Sequence, residues 1–233
     1  MKLALVGYGK MGHMLERLAP EYGFTVALKL DVNNNANGEG FLAENFRDVS
    51  AAIEFTTPEA AVFNLEKLAV LRVPTVTGTT GWFGELERVT AQFELNHTGL
   101  VYSPNFSIGV NIFQRVVAEA ARWMQQQPGY ESWAWEIHHS AKKDAPSGTL
   151  IKLVDVMREA GYERKVDVGS NRAGSIPGTH EIGFDSPADT ITLRHTARSR
   201  EGFARGALHA ARWLAGGKKG CHDFSRILFE EGV

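Results

Sequence analysis

Apolar positions along the first hundred residues switch between two periods. Leu3 to Val6 is a short continuous apolar run, the form taken by a strand covered on both faces. Met11, Met14, Leu15 and Leu18 follow at i, i+3, i+4 and i+7, an amphipathic helical stripe that Pro20 ends. Phe24, Val26, Leu28 and Leu30 then alternate as a second strand, so the chain opens with a strand–helix–strand unit. Past an Asn/Gly-rich stretch from Asn33 to Gly40, the pattern predicts a strand near Ala51 to Phe55 and a helix with Thr57 as N-cap and Pro58 at its first position. Short strands are expected at Thr75 to Thr77 and Leu100 to Tyr102, with a helix marked by Leu86, Val89 and Phe93 between them. Strands alternating with helices predict an α/β domain built on a parallel sheet.

A different rhythm begins at Ile108, where Val110, Phe113, Val117, Ala120 and Met124 mark a long helix to about Gln127. Trp133 to His139 reads as a strand, and Thr179 to Asp185 pairs with Thr190 to Ala197 through the Ser186-Pro187-Ala188-Asp189 turn. This second region is expected to be α+β with antiparallel pairing. A last helix from about Gly202 to Ala215 carries Phe203, Ala207, Ala211 and Leu214 on one stripe. The apolar tail (Phe224, Ile227, Leu228, Phe229) needs a core and is expected to return to the first domain. The expected domains are 1–107 joined by about 204–233, and 108–203.

Charge narrows the classes of partner. Lys and Arg number 25 and Asp and Glu 27, a net charge of −2, and the two signs are interspersed, which predicts no nucleic-acid or anionic-lipid surface. No apolar run approaches the ~18 residues of a membrane span, and the LALVG run after Lys2 is too short for a secretory leader, so a cytoplasmic protein without membrane contact is expected. The single Cys221 allows neither an internal disulfide nor a cysteine-based zinc site.

The segment Gly7-Tyr8-Gly9-Lys10-Met11-Gly12 places G-x-G-x-x-G between the first strand and the first helix, and Asp31 lies 19 residues beyond Gly12 at the end of strand two. The first glycine permits a tight turn, the second lets backbone approach a pyrophosphate, and the third lets helix pack closely on strand. N–H groups at the helix start favour the phosphates, and Asp31 would accept hydrogen bonds from the adenosine ribose. This predicts a Rossmann-type dinucleotide-binding domain beside the α+β domain. A carboxylate at position 31 disfavours a 2′-phosphate and Val32 offers no cation, while Lys10 or Lys29 could compensate, so the cofactor is expected to be NADH and/or NADPH with a lean to NADH.

Glu136 to Thr149 (EIHHSAKKDAPSGT) holds the densest chemistry in the chain. Two imidazoles, an ammonium and a helix start capped by Ser147 or Thr149 converge within a short stretch, a set able to move protons and bind a carboxylate. Taken singly, each has a bland role: adjacent histidines point to opposite faces, lysines are solvated, and Ser-Gly-Thr is a cap. A His-His pair without spaced carboxylate or thiolate ligands makes a poor tetrahedral zinc site, so no metal is expected.

The stretch His-His-x-x-Lys-x-Asp-Ala-Pro-Ser-Gly-Thr resembles the signature of the 4-hydroxy-tetrahydrodipicolinate (dihydrodipicolinate) reductase family, and the resemblance extends over nearly the whole chain. Gly7 to Gly12 is similar to the family's cofactor loop; Gly78-Thr79-Thr80-Gly81 and Ser103-Pro104-Asn105-Phe106-Ser107-Ile108-Gly109 resemble two loops lining its nicotinamide site; Arg172 to His180 (RAGSIPGTH) resembles a loop and strand of its substrate domain. The resemblance implies NAD(P)H-dependent reduction of a cyclic dicarboxylate in lysine and diaminopimelate biosynthesis, in a homotetramer assembled through the second domain. It assigns His138 as proton donor or acceptor, Lys142 as second proton donor, and His139, Gly148 and Thr149 as substrate contacts. Gly7, Gly9, Lys10, Met11, Gly12, Asp31, Gly78, Thr79, Thr80, Ser103, Pro104, Asn105 and Phe106 become cofactor contacts. Two other readings are an aldehyde-oxidising dehydrogenase using a cysteine nucleophile and a non-catalytic dinucleotide sensor. Cys221 lies in the tail between Gly220 and His222, away from any activating element, and a sensor has no use for Lys142 beside paired histidines.

Overall fold

The computed structural model describes residues 1–230; positions 231–233, the end of the segment assigned above to the first domain, lie outside the described residues. In chain order the elements are β1 (Lys2–Val6), α1 (Lys10–Leu18), β2 (Thr25–Leu30), α2 (Ala43–Phe46), β3 (Val49–Glu54), α3 (Pro58–Val70), β4 (Thr75–Thr77), α4 (Leu86–Leu95) and β5 (Gly99–Tyr102). There follow α5 (Ile108–Met124), β6 (Glu131–His138), α6 (Gly148–Glu159), β7 (Val166–Arg172), β8 (Thr179–Asp185), β9 (Thr190–Thr196), α7 (Glu201–Ala215), β10 (Gly220–Asp223) and α8 (Phe224–Glu230). They form two compact units, one of Met1–Ile108 with the segment from Glu201 onward, the other Gly109–Arg200.

The first unit is a six-stranded parallel sheet in the order β10-β5-β4-β3-β1-β2. Alternation along β1 sends Leu3 and Leu5 to one face, under α1, α7 and α8, while Ala4 and Val6 face the opposite cluster with Leu68 of α3. Each large apolar side chain so buried contributes about 1.5–3 kcal/mol. Alanines make α7 narrow, and Gly206 lets it press on the chain after β5: a Cβ there would stand 1.7 Å from the Phe106 carbonyl oxygen. Pro58 opens α3 after Thr57, whose side chain makes no capping bond. No helix among the described residues is long and apolar enough to cross a membrane.

The second unit is a four-stranded sheet in the order β7-β6-β8-β9 with α5 and α6 on one face. Phe113, Val117 and Ala121 of α5 and Leu150, Leu153 and Met157 of α6 pack on Ala134, Ile182 and Phe184. The β8–β9 pair is antiparallel, joined by a turn in which the Ser186 N–H donates to the Asp189 carbonyl at 2.9 Å. The pairing is not antiparallel throughout, however. β7 runs parallel to β6, because α6 carries the chain back across the sheet before the next strand starts.

Candidate active site

The carboxyl ends of the parallel strands carry the predicted cofactor residues. Gly7 adopts φ +96°, and a Cβ there would fall 1.9 Å from the Phe55 carbonyl oxygen, so only glycine fits the turn after β1. Gly12 is buried on the inner face of α1, where a Cβ would meet the Gly7 carbonyl oxygen at 2.6 Å. Gly9 differs: a Cβ at this exposed N-cap would touch nothing within 4 Å, so packing does not demand a glycine. No side chain caps α1, which leaves the first-turn N–H groups of Lys10, Met11 and Gly12 suited to a phosphate. An open Cβ position over an uncapped helix start is what close approach of a pyrophosphate requires.

Asp31 follows β2 directly. Its Oδ1 accepts from the Asn33 backbone N–H at 2.8 Å. Lys29 does not answer it: its ammonium lies 2.9 Å from Glu16 Oε1 and 4.7 Å from the Tyr8 ring centroid. After β4, Gly78 is half-buried, Thr79 is buried with its hydroxyl turned inward, and Thr80 is exposed. After β5, Ser103 and Asn105 lock each other, the Ser103 hydroxyl donating to the Asn105 carbonyl (3.0 Å) and accepting its N–H (3.1 Å), while Pro104 is exposed. The Phe106 ring is buried beside Phe224, at 4.8 Å between centroids, so its side chain serves the core.

In the second unit, strand register builds the chemical cluster. Glu136 of β6 stands opposite Ser170 of β7 and His180 of β8, and His138 stands opposite Arg172. Glu136 and His138 share the parity of Ala134, toward the helices. The fully buried Glu136 carboxylate accepts from the Ser147 N–H (2.8 Å) and hydroxyl, the Ser170 hydroxyl (3.0 Å) and Arg172 Nη2 (3.0 Å). Burial alone would raise this carboxyl; the bonds from Ser147, Arg172 and Ser170 outweigh it and hold it below the ordinary value. Ser147 caps α6, its Oγ accepting the Leu150 N–H at 3.2 Å, so one serine both starts the helix and binds Glu136.

Both buried histidines are kept neutral. His138 Nδ1 and His180 Nε2 each lie 3.4 Å from Glu136 Oε2. Burial lowers His138, against the pull of Glu136 and with help from Lys142 and Arg172. Burial and the neighbouring His138 bring His180 down to about 4. Gly178, at φ +150°, packs on the catalytic candidate, since a Cβ there would stand 2.8 Å from His138 Nε2. Lys142 Nζ grips both oxygens of Asp144, at 2.7 and 2.8 Å, and Arg172 also donates to the Asp144 carbonyl. His139 is half-buried just past β6, with Gly148 exposed and Thr149 half-buried in the first turn of α6.

Ligand atoms of Glu136, His138 and His180 lie within 4.8 Å of one another, the geometry of a small cation site. The carboxylate, however, is already committed to two serines and a guanidinium, whose positive charge opposes a metal. Ser147 caps α6 as the sequence suggests; Glu136, Arg172 and His180 fall inside the quoted motifs without a role of their own, and Ser170 lies outside them. The available signal is a charged residue on the buried parity of β6. Cys221 lies in the C-terminal segment on a short strand, β10, and burial pushes its thiol up to about 12, an unreactive state.

A glycine turn and bare helix start at the carboxyl end of a parallel sheet define a dinucleotide-binding protein of the Rossmann type. Residues 1–106 match the family described as dihydrodipicolinate reductase, N-terminus, and residues 109–228 match its C-terminus. The chain belongs to the dihydrodipicolinate reductase family. It is 33% identical over 226 residues to the 4-hydroxy-tetrahydrodipicolinate reductase of Christiangramia forsetii, covering 92% of each chain. Against the enzyme of that name from Methanoregula boonei it is 38% identical over 204 residues, 82% of this chain and 78% of that one. A dipicolinate-bound dihydrodipicolinate reductase from Paenisporosarcina sp. TG-14 shares the fold with a TM-score of 0.77 at 21% identity, covering 96% of this chain and 97% of the other.

Proposed function

We propose that the chain reduces 4-hydroxy-tetrahydrodipicolinate to tetrahydrodipicolinate, with loss of the C4 hydroxyl as water, in lysine and diaminopimelate biosynthesis. The observation that carries this reading is the neutral, buried His138 in one unbroken segment with the Lys142 cation and the Ser147-capped start of α6. Gly7, Gly9, Lys10, Met11 and Gly12 would hold the dinucleotide's pyrophosphate, Asp31 its adenosine ribose, and the segments 78–80 and 103–106 its nicotinamide half. When bound, the reduced nicotinamide supplies the hydride.

The chain's own residues bind the dicarboxylate and manage protons. The N–H groups of Gly148 and Thr149 at the start of α6, together with His139, hold one substrate carboxylate. Lys142 exchanges Asp144 for substrate and delivers a proton as electron density moves toward the ring nitrogen. His138, neutral through burial, handles the second proton, passing it on to Lys142 once Lys142 has given its own to the ring. Asp31 beside a fully committed Lys29 favours NADH over NADPH. A homotetramer built through the unit 109–200 fits the half-buried Trp133, Trp135 and Ile137, which lie on the parity of β6 opposite the core under α5 and α6.

Oxidation of NADH with freshly condensed pyruvate and aspartate semialdehyde tests the reaction, and absence of turnover with either cofactor would reject it. His138→Gln should lose at least about a hundredfold in turnover while still binding NADH. Lys142→Ala should raise the KM for substrate as well as lower the rate; an unchanged KM would remove its carboxylate contact. A hundredfold preference for NADPH would refute the cofactor assignment, and a monomer by analytical ultracentrifugation would refute the assembly.

A further inference from the structure

Glu54 ends β3 and is wholly buried, yet no Lys, Arg or His among the described residues forms an ion pair with it. Its partners are hydroxyls and one amide. Oε1 accepts from the Thr56 N–H (3.1 Å), the Thr56 hydroxyl and the Thr79 hydroxyl (2.9 Å), and Oε2 accepts from the Thr77 hydroxyl at 2.6 Å. The threonines are themselves interlocked: the Thr56 N–H also donates to Thr79 Oγ1 (2.8 Å), and Asn64 Nδ2 donates to Thr56 Oγ1 (3.3 Å). The Glu54 backbone joins in, its carbonyl accepting the Gly78 N–H at 3.0 Å. One side chain therefore ties the segment after β3 to the segment after β4.

These are the segments a dinucleotide must cross. In the sheet order β5-β4-β3-β1-β2, the glycine turn follows β1 and Asp31 follows β2, so the adenosine half lies toward β2 and the other half extends over β3, β4 and β5. The residue after Glu54 sets the floor of the glycine turn, because Phe55 and Thr56 crowd Gly7 and the Phe55 ring crowds Gly78. An apolar residue at position 54 would fill the same core without orienting any hydroxyl, whereas a carboxyl in place of it costs desolvation.

We propose that Glu54 is a positioning residue that holds the nicotinamide-side segments 55–57 and 77–80 in their binding geometry. This rests on the cofactor reading above. Burial raises the carboxyl above its ordinary value, beyond what its bonds to the three threonines offset, so a neutral hydrogen-bonding side chain of the same shape is the informative replacement. A glutamine is then its isostere: the amide oxygen keeps the three contacts of Oε1, and the amide nitrogen reaches Thr77, whose hydroxyl can accept as well as donate.

The test compares NADH with ADP-ribose, which lacks the nicotinamide, by calorimetric titration of the whole protein well below its melting temperature. Glu54→Ala should weaken NADH at least about tenfold and leave ADP-ribose within about threefold, and Glu54→Gln should restore NADH affinity. Equal loss of both ligands would mean a general loosening of the unit and overturn the proposal, as would unchanged NADH affinity or a Gln variant no better than Ala. Should the Ala variant not fold, Thr77→Val removes the Oε2 partner at a position outside the assigned ligand contacts. NADH should then weaken selectively, and unchanged NADH affinity would overturn the proposal. Failure of the unaltered protein to bind NADH or NADPH would instead strike the cofactor reading itself.

Discussion

Replacing His180 by glutamine should change how the protein responds to acid. The native imidazole is brought from 6.5 down to about 4, chiefly by burial and then by the neighbouring His138. In the unfolded chain it titrates near 6.5, so between the two values the unfolded state binds the extra proton and the folded state does not. The stabilisation from a neutral His180 is therefore complete above about pH 6.5 and is lost as pH falls toward 4. At about 1.4 kcal/mol per pH unit, the loss is ~3 kcal/mol. Urea unfolding followed by tryptophan fluorescence measures it, because Trp133 and Trp135 lie on β6, the strand that pairs with His180. Between pH 7.5 and 4 the stability of the native protein should fall ~3 kcal/mol further than that of His180→Gln, other titrating groups being common to both. Parallel losses in the two proteins would refute the reasoning, as would an NMR titration midpoint for His180 near 6.5.

Gly178→Ala should cost turnover without costing cofactor. Its new Cβ must displace the His138 ring from 2.8 Å, and misplacement on this scale lowers rates by roughly 10²-fold, so kcat should drop while the Kd for NADH stays put. Glu136→Gln removes the carboxylate that balances the mostly buried Arg172 guanidinium, an ion pair of 3.0 Å. Loss of one partner from such a pair costs about 3–5 kcal/mol, measurable as a lowered urea midpoint.

Hydrophobic period is enough to place most of the fold, because β1, β3 and β5 are apolar on both faces and α1 and α5 carry one clean stripe. β7 and β10 escape it for a physical reason. VDVGSNR is largely polar and sits at a sheet edge, and GCHD is four residues long, so pairing rather than sequence makes them strands. The site divides in the same way. The glycine turn, His138 and Lys142 are local motifs and can be read from letters alone. Ser170, Arg172 and His180 join Glu136 only through strand register, which one chain's spacing does not reveal. Glu54 is hidden for a similar reason: in the string AAIEFTT nothing distinguishes a carboxyl enclosed by hydroxyls from one reaching water.

The first unit closes its sheet with β10, a strand encoded more than a hundred residues after β5, its hydrogen-bonded neighbour. A ribosome delivers residues 109–200 as one uninterrupted stretch before that strand or α7 exists. The later-encoded unit can thus finish folding on the nascent chain while the earlier one waits with β5 as a bare edge and one sheet face covered by α1 without α7 and α8. Synthesis that stalls in this interval leaves an adhesive half-built intermediate, which makes the end of translation the moment of greatest exposure to aggregation.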